Sequence, residues 1–254
     1  MAYKIKRYGW TRDLPDQRDH LFAAPRANLL MLPPSADLRA QCPPVYDQGQ
    51  LGSCTANAIG AAIEFDQMKQ KLKPVFTPSR LFIYYNEREI EGTVASDSGG
   101  QIRDGVKSVA QQGDVPETEW PYDITKFAVK PPAACYTDAR KYKVVTYQRV
   151  LQTAQQMKGC LASGSPFVFG FTVYASFEGT EVAKTGIVPM PQQGEKTLGG
   201  HAVMAVGYDD ASQTFWVRNS WGPSWGLAGY FKMPYAYLLD ANLASDFWNI
   251  QVVL

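Results

Sequence analysis

The stretch Asp47–Ala58, DQGQLGSCTANA, decides how this chain is read. It sets Cys54 directly behind a Gln-Gly-Gln-Leu-Gly-Ser turn. Beyond it, Ile59, Ala62, Ile63, Phe65, Met68 and Leu72 recur at steps of three and four, which predicts a helix from Cys54 to about Lys71. Gly60 lies inside this helix and is expected to allow close packing. A thiol at a helix N-terminus meets unpaired backbone N–H groups and the positive end of the dipole. Both favour the reactive thiolate. The competing reading makes Cys54 a small buried hydrophobe.

Working outward, the chain has 254 residues and only two histidines, His20 and His201, so candidates for a general base are few. His201, in LGGHAVMAVGYDD, is expected to open a strand behind a turn at Gly199-Gly200. Asn219, in WVRNSWGPSWGLAGY, offers a side-chain oxygen that can accept from one imidazole nitrogen and so aim the other. Taken singly, His201 also reads as a structural histidine and Asn219 as a turn residue.

Composition bounds the rest. Hydrophobic residues make up 45% and charged residues 19%, as in ordinary globular domains, and the net charge of +1 points to neither nucleic acid nor an acidic membrane. No apolar run approaches the roughly 18 residues of a membrane span. The start has no apolar h-region, so a cytoplasmic location is the default expectation, with export by a signal-free route or a trimmed leader left open. Cys42, Cys54, Cys135 and Cys160 form neither a disulfide framework nor a zinc-type pair, and mostly free thiols are expected. No metal or cofactor is implied.

Residues 33–53 are broken by proline and glycine and read as loop. Residues 1–32 read as an irregular arm with one turn of helix near LLML. TPSRLFIYYNEREI predicts a second helix with Thr77 as N-cap and Pro78 at its first position. QIRDGVKSVAQQG predicts a third, stopped at Gly113. After about residue 140 the period shortens, and KYKVVTYQRV, PFVFGFTV, HAVMAVGY, TFWVRN, GYFKM and FWNIQVVL read as strands, interrupted by one helix in TAQQMKGCLASG. A helical front half and a β-rich back half place a cleft between them.

These segments together resemble the papain family of cysteine peptidases. Leu51-Gly52-Ser53-Cys54-Thr55 is similar to the family's C-G-[SA]-C-[WY], and His201 follows 147 residues on, with Asn219 18 further, near the family's roughly 130–150-residue spacing. NSWGPSWGLAGYF, GHAVMAVGY, the Ser98–Gly100 SGG and the Trp120–Asp123 WPYD match further family blocks, so the resemblance spans about residues 33 to 254. It implies an α+β, two-lobed papain-like fold. A mainly helical lobe would cover about 44–140 and an antiparallel, β-barrel-like lobe about 141–254, with the active-site cleft between. Cys54 would be the nucleophile and His201 its proton partner, paired at rest as thiolate and imidazolium. Asn219 would orient the imidazole and Trp221 would shield that bond. Gln48 would donate to the oxyanion hole beside the Cys54 N–H. Gly99 and Gly100 would bind an extended peptide by strand addition. Gln101, Ile102, Ala202 and Asp246 would line the pocket for the residue two before the cut, where an acid favours a basic side chain.

The implied function is an endopeptidase acting on peptide or protein substrates through a covalent acyl-enzyme. Leu51 stands where the family has a cysteine and Asp97 near its bridging partner, so that disulfide is expected to be absent; Thr55 replaces an aromatic. The short arm resembles that of bacterial members, and residues 1–32 are expected to lie in or beside the cleft and limit access, as in a zymogen. Two alternatives use the same residues differently: an acyltransferase or amidase, and a papain-like binding protein without catalysis.

Overall fold

The helix behind Cys54 is the axis of the molecule, and its composition explains why. In the computed structural model, which describes residues 8–252, α2 (Cys54–Gln70) is buried on every side up to Gln67. The run of Ala56, Ala58, Ala61 and Ala62 lets neighbours approach from all directions, so the helix is central rather than amphipathic. Gly60 is not forced by packing, since a Cβ there would lie 3.4 Å from Arg80 Cγ, an ordinary contact. The helix ends where Lys71 turns left-handed at φ 57°.

Before α2 come three short elements: β1 (Trp10–Thr11), α1 (Arg26–Leu30) and β2 (Ser35–Asp37). The helical lobe continues with α3 (Arg80–Glu91), β3 (Gly100–Gln101), α4 (Ile102–Gln112) and α5 (Ala133–Ala139). The second helix starts later than expected. Ser79 is its N-cap, with Oγ accepting from Phe82 N at 3.2 Å. Thr77 and Pro78 are held in the preceding loop, where the Thr77 carbonyl accepts from Glu117 N and Pro78 bridges to Pro116.

The second lobe contains β4 (Val144–Arg149), α6 (Ala154–Ala162), β5 (Phe167–Tyr174), α7 (Thr180–Thr185), β6 (Thr197–Asp209), β7 (Thr214–Arg218), β8 (Tyr230–Pro234), α8 (Tyr235–Leu239) and β9 (Ala244–Val252). The strands form one antiparallel sheet in the order β4-β9-β5-β6-β7-β8, with β2 added on β6. It is open rather than barrel-like: β4 pairs only with β9 and β8 only with β7. Phe167, Phe169, Phe171, Phe215, Phe231 and Phe247 fill its inner face, alternating along the strands as the period of two requires. The first seven residues of the arm and the last two of FWNIQVVL lie outside the described residues.

His201 does not open its strand. β6 begins at Thr197 and runs through Gly199 and Gly200, which pair with Val173 and Thr172. The two glycines read as a turn in the sequence, but here they leave a sheet surface bare of side chains. All four cysteines are free thiols. The melting temperature is therefore expected to be the same with and without excess thiol reductant; a fall of several degrees on reduction would contradict this.

Candidate active site

The end of α2 and the middle of β6 meet at the boundary of the lobes. Cys54 and His201 are both fully buried there. The Asn219 side-chain oxygen accepts from Ser220 N at 2.9 Å and lies 2.8 Å from His201 Nε2. Because that oxygen is an acceptor, Nε2 carries the proton and donates. Among the described residues Nδ1 is buried without a hydrogen-bond partner. Trp221 lies against the ring, with centroids 5.1 Å apart and planes 29° from parallel, and Phe177 backs the indole edge-on at 5.4 Å. This apolar cover keeps water from the His201–Asn219 bond.

Gln48 is tied into the same assembly. Its Nε2 donates to Leu51 O at 2.9 Å, its Oε1 accepts from Ser220 Oγ at 2.6 Å, and its backbone N donates to Ser220 O at 2.9 Å. The Nε2 amide carries a second hydrogen besides the one given to Leu51 O. Tyr122, from the WPYD block, donates to Gln48 O at 3.0 Å and lies 2.5 Å from Ser53 Oγ. Ser220 and Tyr122 are thus functional supports that local sequence patterns did not mark out individually.

The N-terminal arm lies across this site. Gly9 O accepts from Gly100 N at 2.7 Å, and β1 pairs in parallel with β3, Trp10 opposite Gly100 and Thr11 opposite Gln101. The amide N–H groups of Gly9 and Ala202 face the Cys54 sulfur. Tyr8 stands edge-on to His201 and donates to Glu178 Oε1 at 2.7 Å. Trp10 sinks into a pocket that exists because its walls lack side chains: a Cβ on Gly170 would lie 1.9 Å from the indole, and one on Gly200 2.5 Å from it.

Burial disfavours the charged form of both Cys54 and His201. Desolvation, with the Glu87 charge adding to it, pushes the Cys54 thiol up to about 12 against the opposing amide hydrogen bonds. Desolvation also pushes His201 down to about 4, against the bond to Asn219. The thiolate–imidazolium pair expected from the sequence is therefore not the state favoured here. Both groups are favoured neutral while the arm is in place.

Beyond Trp10, the arm is latched by charge. Asp13 Oδ2 accepts from Trp248 Nε1 at 2.8 Å and Arg149 Nη2 at 3.2 Å, and Oδ1 accepts from Arg103 N at 3.1 Å. Asp19 accepts from Arg103 Nε at 3.1 Å and Arg149 Nε at 3.0 Å. Arg103 belongs to α4 and Arg149 to β4, so the arm fastens both lobes. Asp246 accepts from Asp13 N at 2.8 Å and lies 3.6 Å from Arg149, so it is not a bare acid waiting for a basic side chain. Gln101 accepts from Leu14 N at 3.1 Å, while Ile102 and Ala202 are buried beneath the arm. Asn219 and Trp221 thus contact His201, Gln48 is tied to Ser220 beside Asn219, and Gly100, Gln101 and Asp246 bond to the arm. His20 lies apart, its carbonyl accepting from Arg149 N. Among the described residues no His, Cys, Asp or Glu group could hold a metal, and no helix is long and apolar enough to cross a membrane.

The model of the family described as papain family cysteine protease matches residues 32–246. The chain belongs to the papain family of cysteine proteases. Xylellain, a cysteine protease from Xylella fastidiosa, superposes with a TM-score of 0.91 at 46% identity, covering 99% of this chain and all of that one. An uncharacterized peptidase C1-like protein of Acanthamoeba polyphaga mimivirus is 44% identical over 98% of this chain and 88% of its own. A procathepsin B from Trypanosoma congolense shares the fold at 19% identity and a TM-score of 0.75, covering 97% of this chain and 86% of that one. The protein is accordingly a papain-like cysteine peptidase, a hydrolase. Relatives this similar come from a bacterium and a virus, so the short arm does not identify a bacterial source.

The latch predicts a pH dependence. Burial, and then the nearby Asp246 charge, raise Asp13 from 3.8 to about 6, against its bonds to Arg103 and Trp248. A group raised on docking strengthens docking below its free value and loses that contribution as pH rises through its docked value. The arm should loosen as pH rises from 3.8 through about 6. The Cys54 alkylation rate of the native chain, divided by that of Asp13→Asn, should therefore rise between pH 5 and 8. A flat ratio would contradict the latch.

Proposed function

We propose that this papain-family peptidase cleaves internal peptide bonds with Cys54, His201, Asn219 and Gln48 in the roles assigned from the sequence. The observation that carries the reading is the His201–Asn219 bond, which commits Nε2 and leaves Nδ1 for the thiol. With the arm displaced and water admitted, the desolvation that keeps both groups neutral is relieved, and Cys54 can pass its proton to His201. The thiolate attacks the peptide carbonyl, and the oxyanion takes hydrogen bonds from Cys54 N–H and Gln48 Nε2. His201 returns the proton to the departing amine. Water, deprotonated by His201, then cleaves the thioester and releases the acid.

Residues 1–32 supply intramolecular inhibition in this reading. An amide N–H, which offers no electrophile, faces the sulfur, while the arm occupies the backbone wall at Gly100 that an extended substrate would use. The pocket's accommodation of Trp10, and the pairing of Asp246 with Arg149, favour a bulky aromatic side chain two residues before the cut over a basic one.

A thiol-directed epoxide and a panel of dipeptidyl fluorogenic amides at pH 5–8 test the reading. Cys54→Ala should lose labelling and turnover, and Gln48→Ala should lower kcat by roughly 10²–10³-fold. Labelling without turnover of any amide would favour the acyltransferase alternative. Trp10→Ala in the full chain removes a buried indole, a loss worth about 3–5 kcal/mol in a core, and should raise kcat/KM at least about tenfold. Equal activity in native and Trp10→Ala proteins would contradict inhibition by the arm.

A further inference from the structure

Leu51 and Asp97 stand where relatives are expected to carry a disulfide, and the structure shows what holds that place. Gly52 N donates to both Asp97 oxygens, at 3.0 and 3.2 Å. The Tyr84 hydroxyl donates to the same Asp97 Oδ1. That hydroxyl in turn accepts from Gly99 N at 3.1 Å. A continuous chain of hydrogen bonds therefore runs from the turn before Cys54, through one carboxylate and one phenol, to the glycine wall. Gly52 is two residues from the nucleophile, and Gly99 adjoins the residue that pairs with an extended strand.

The chain is built rather than incidental. Tyr84 is fully buried in the middle of α3, and the Arg88 guanidinium sits 3.9 Å over its ring. Arg88 also donates to Val94 O at 3.0 Å, Ser96 O at 2.9 Å and the Phe127 carbonyl, fixing the loop that presents Asp97. A Cβ on Gly52 would lie 2.9 Å from Asp97 Oδ1, so the turn comes this close only as glycine. Neither partner touches the reacting atoms.

We propose that Asp97 and Tyr84 are positioning residues. By hydrogen bonds alone they set the distance between the Cys54 turn and the substrate-binding wall, replacing a covalent bridge with a link that does not depend on redox state. The proposal rests on the peptidase reading for its kinetic tests but has one readout that does not.

The tests use the full-length chain carrying Trp10→Ala. Displacement of a reacting group by about 1 Å can cost on the order of 10²-fold, so Asp97→Ala should lower kcat/KM by a loss of that order. Asp97→Asn keeps the Oδ1 that serves both donors and should stay within about threefold, because an amide oxygen accepts as a carboxylate oxygen does. Tyr84→Phe leaves Asp97 on Gly52 but frees the wall, so its loss should appear in KM more than in kcat. The two losses should be less than additive in the double variant, as for residues in one network. A merely structural role predicts neither rescue by Asn nor a KM-weighted effect.

The second readout is the rate of Cys54 modification by a peptidyl epoxide, which needs the wall, divided by that by iodoacetamide, which does not. That ratio should fall in Tyr84→Phe whether or not any amide is turned over, which separates this proposal from the peptidase reading. Folded Asp97→Ala with kcat/KM within threefold of its parent, or an unchanged labelling ratio in Tyr84→Phe, would overturn it.

Discussion

The Asn219 side-chain oxygen accepts two hydrogen bonds, from His201 Nε2 and from Ser220 N, and the site depends on that pair. The first fixes the tautomer and orientation of the imidazole. The second, through the Ser220 hydroxyl on Gln48, connects the imidazole to the side chain proposed as oxyanion donor. Three groups with different chemical tasks are thus held by one short turn after β7. The apolar cover of Trp221 and Phe177 makes these bonds stronger, because a polar bond out of water has no competing partner.

The same burial that protects this assembly also disfavours charge on both Cys54 and His201. With Gly9, Tyr8 and Trp10 in place, water is excluded from both the sulfur and the ring, and neither can carry charge at low cost. In the proposed reading, closure and chemical inactivity are one effect, since the arm covers the site and both reactive groups are desolvated beneath it. The fastening is distributed: a backbone bond to Gly100, an indole in a glycine-walled pocket, and a carboxylate latch joining α4 and β4.

Much of the site was legible in the sequence because its signals are local. The turn before Cys54, the apolar spacing of α2, the strand alternation and the Asn-Ser-Trp-Gly block each carry their meaning locally in the chain. What was not legible depends on distant pairing. Gly199-Gly200 reads as a turn until β5 is known to pair beside it. Asp97 reads as an absent cysteine until Gly52 and Tyr84 converge on it. The start of α3 was misplaced because Thr77 and Pro78 form a good capping pair locally, yet are claimed by contacts to Pro116 and Glu117. Likewise, a helix N-terminus favours thiolate, but complete burial beneath the arm outweighs it, and only the folded chain shows that burial.

The central claim is that the Cys54–His201 pair is assembled but kept neutral by the arm. The direct measurement is the thiolate absorbance of Cys54 near 240 nm across pH, taken as the difference between each protein and its Cys54→Ser counterpart, for the native chain and for Trp10→Ala. The account predicts almost no Cys54 thiolate in the native chain through neutral pH, and a large thiolate fraction at neutral pH once Trp10 is removed. Thiolate present to the same extent in both proteins would contradict it.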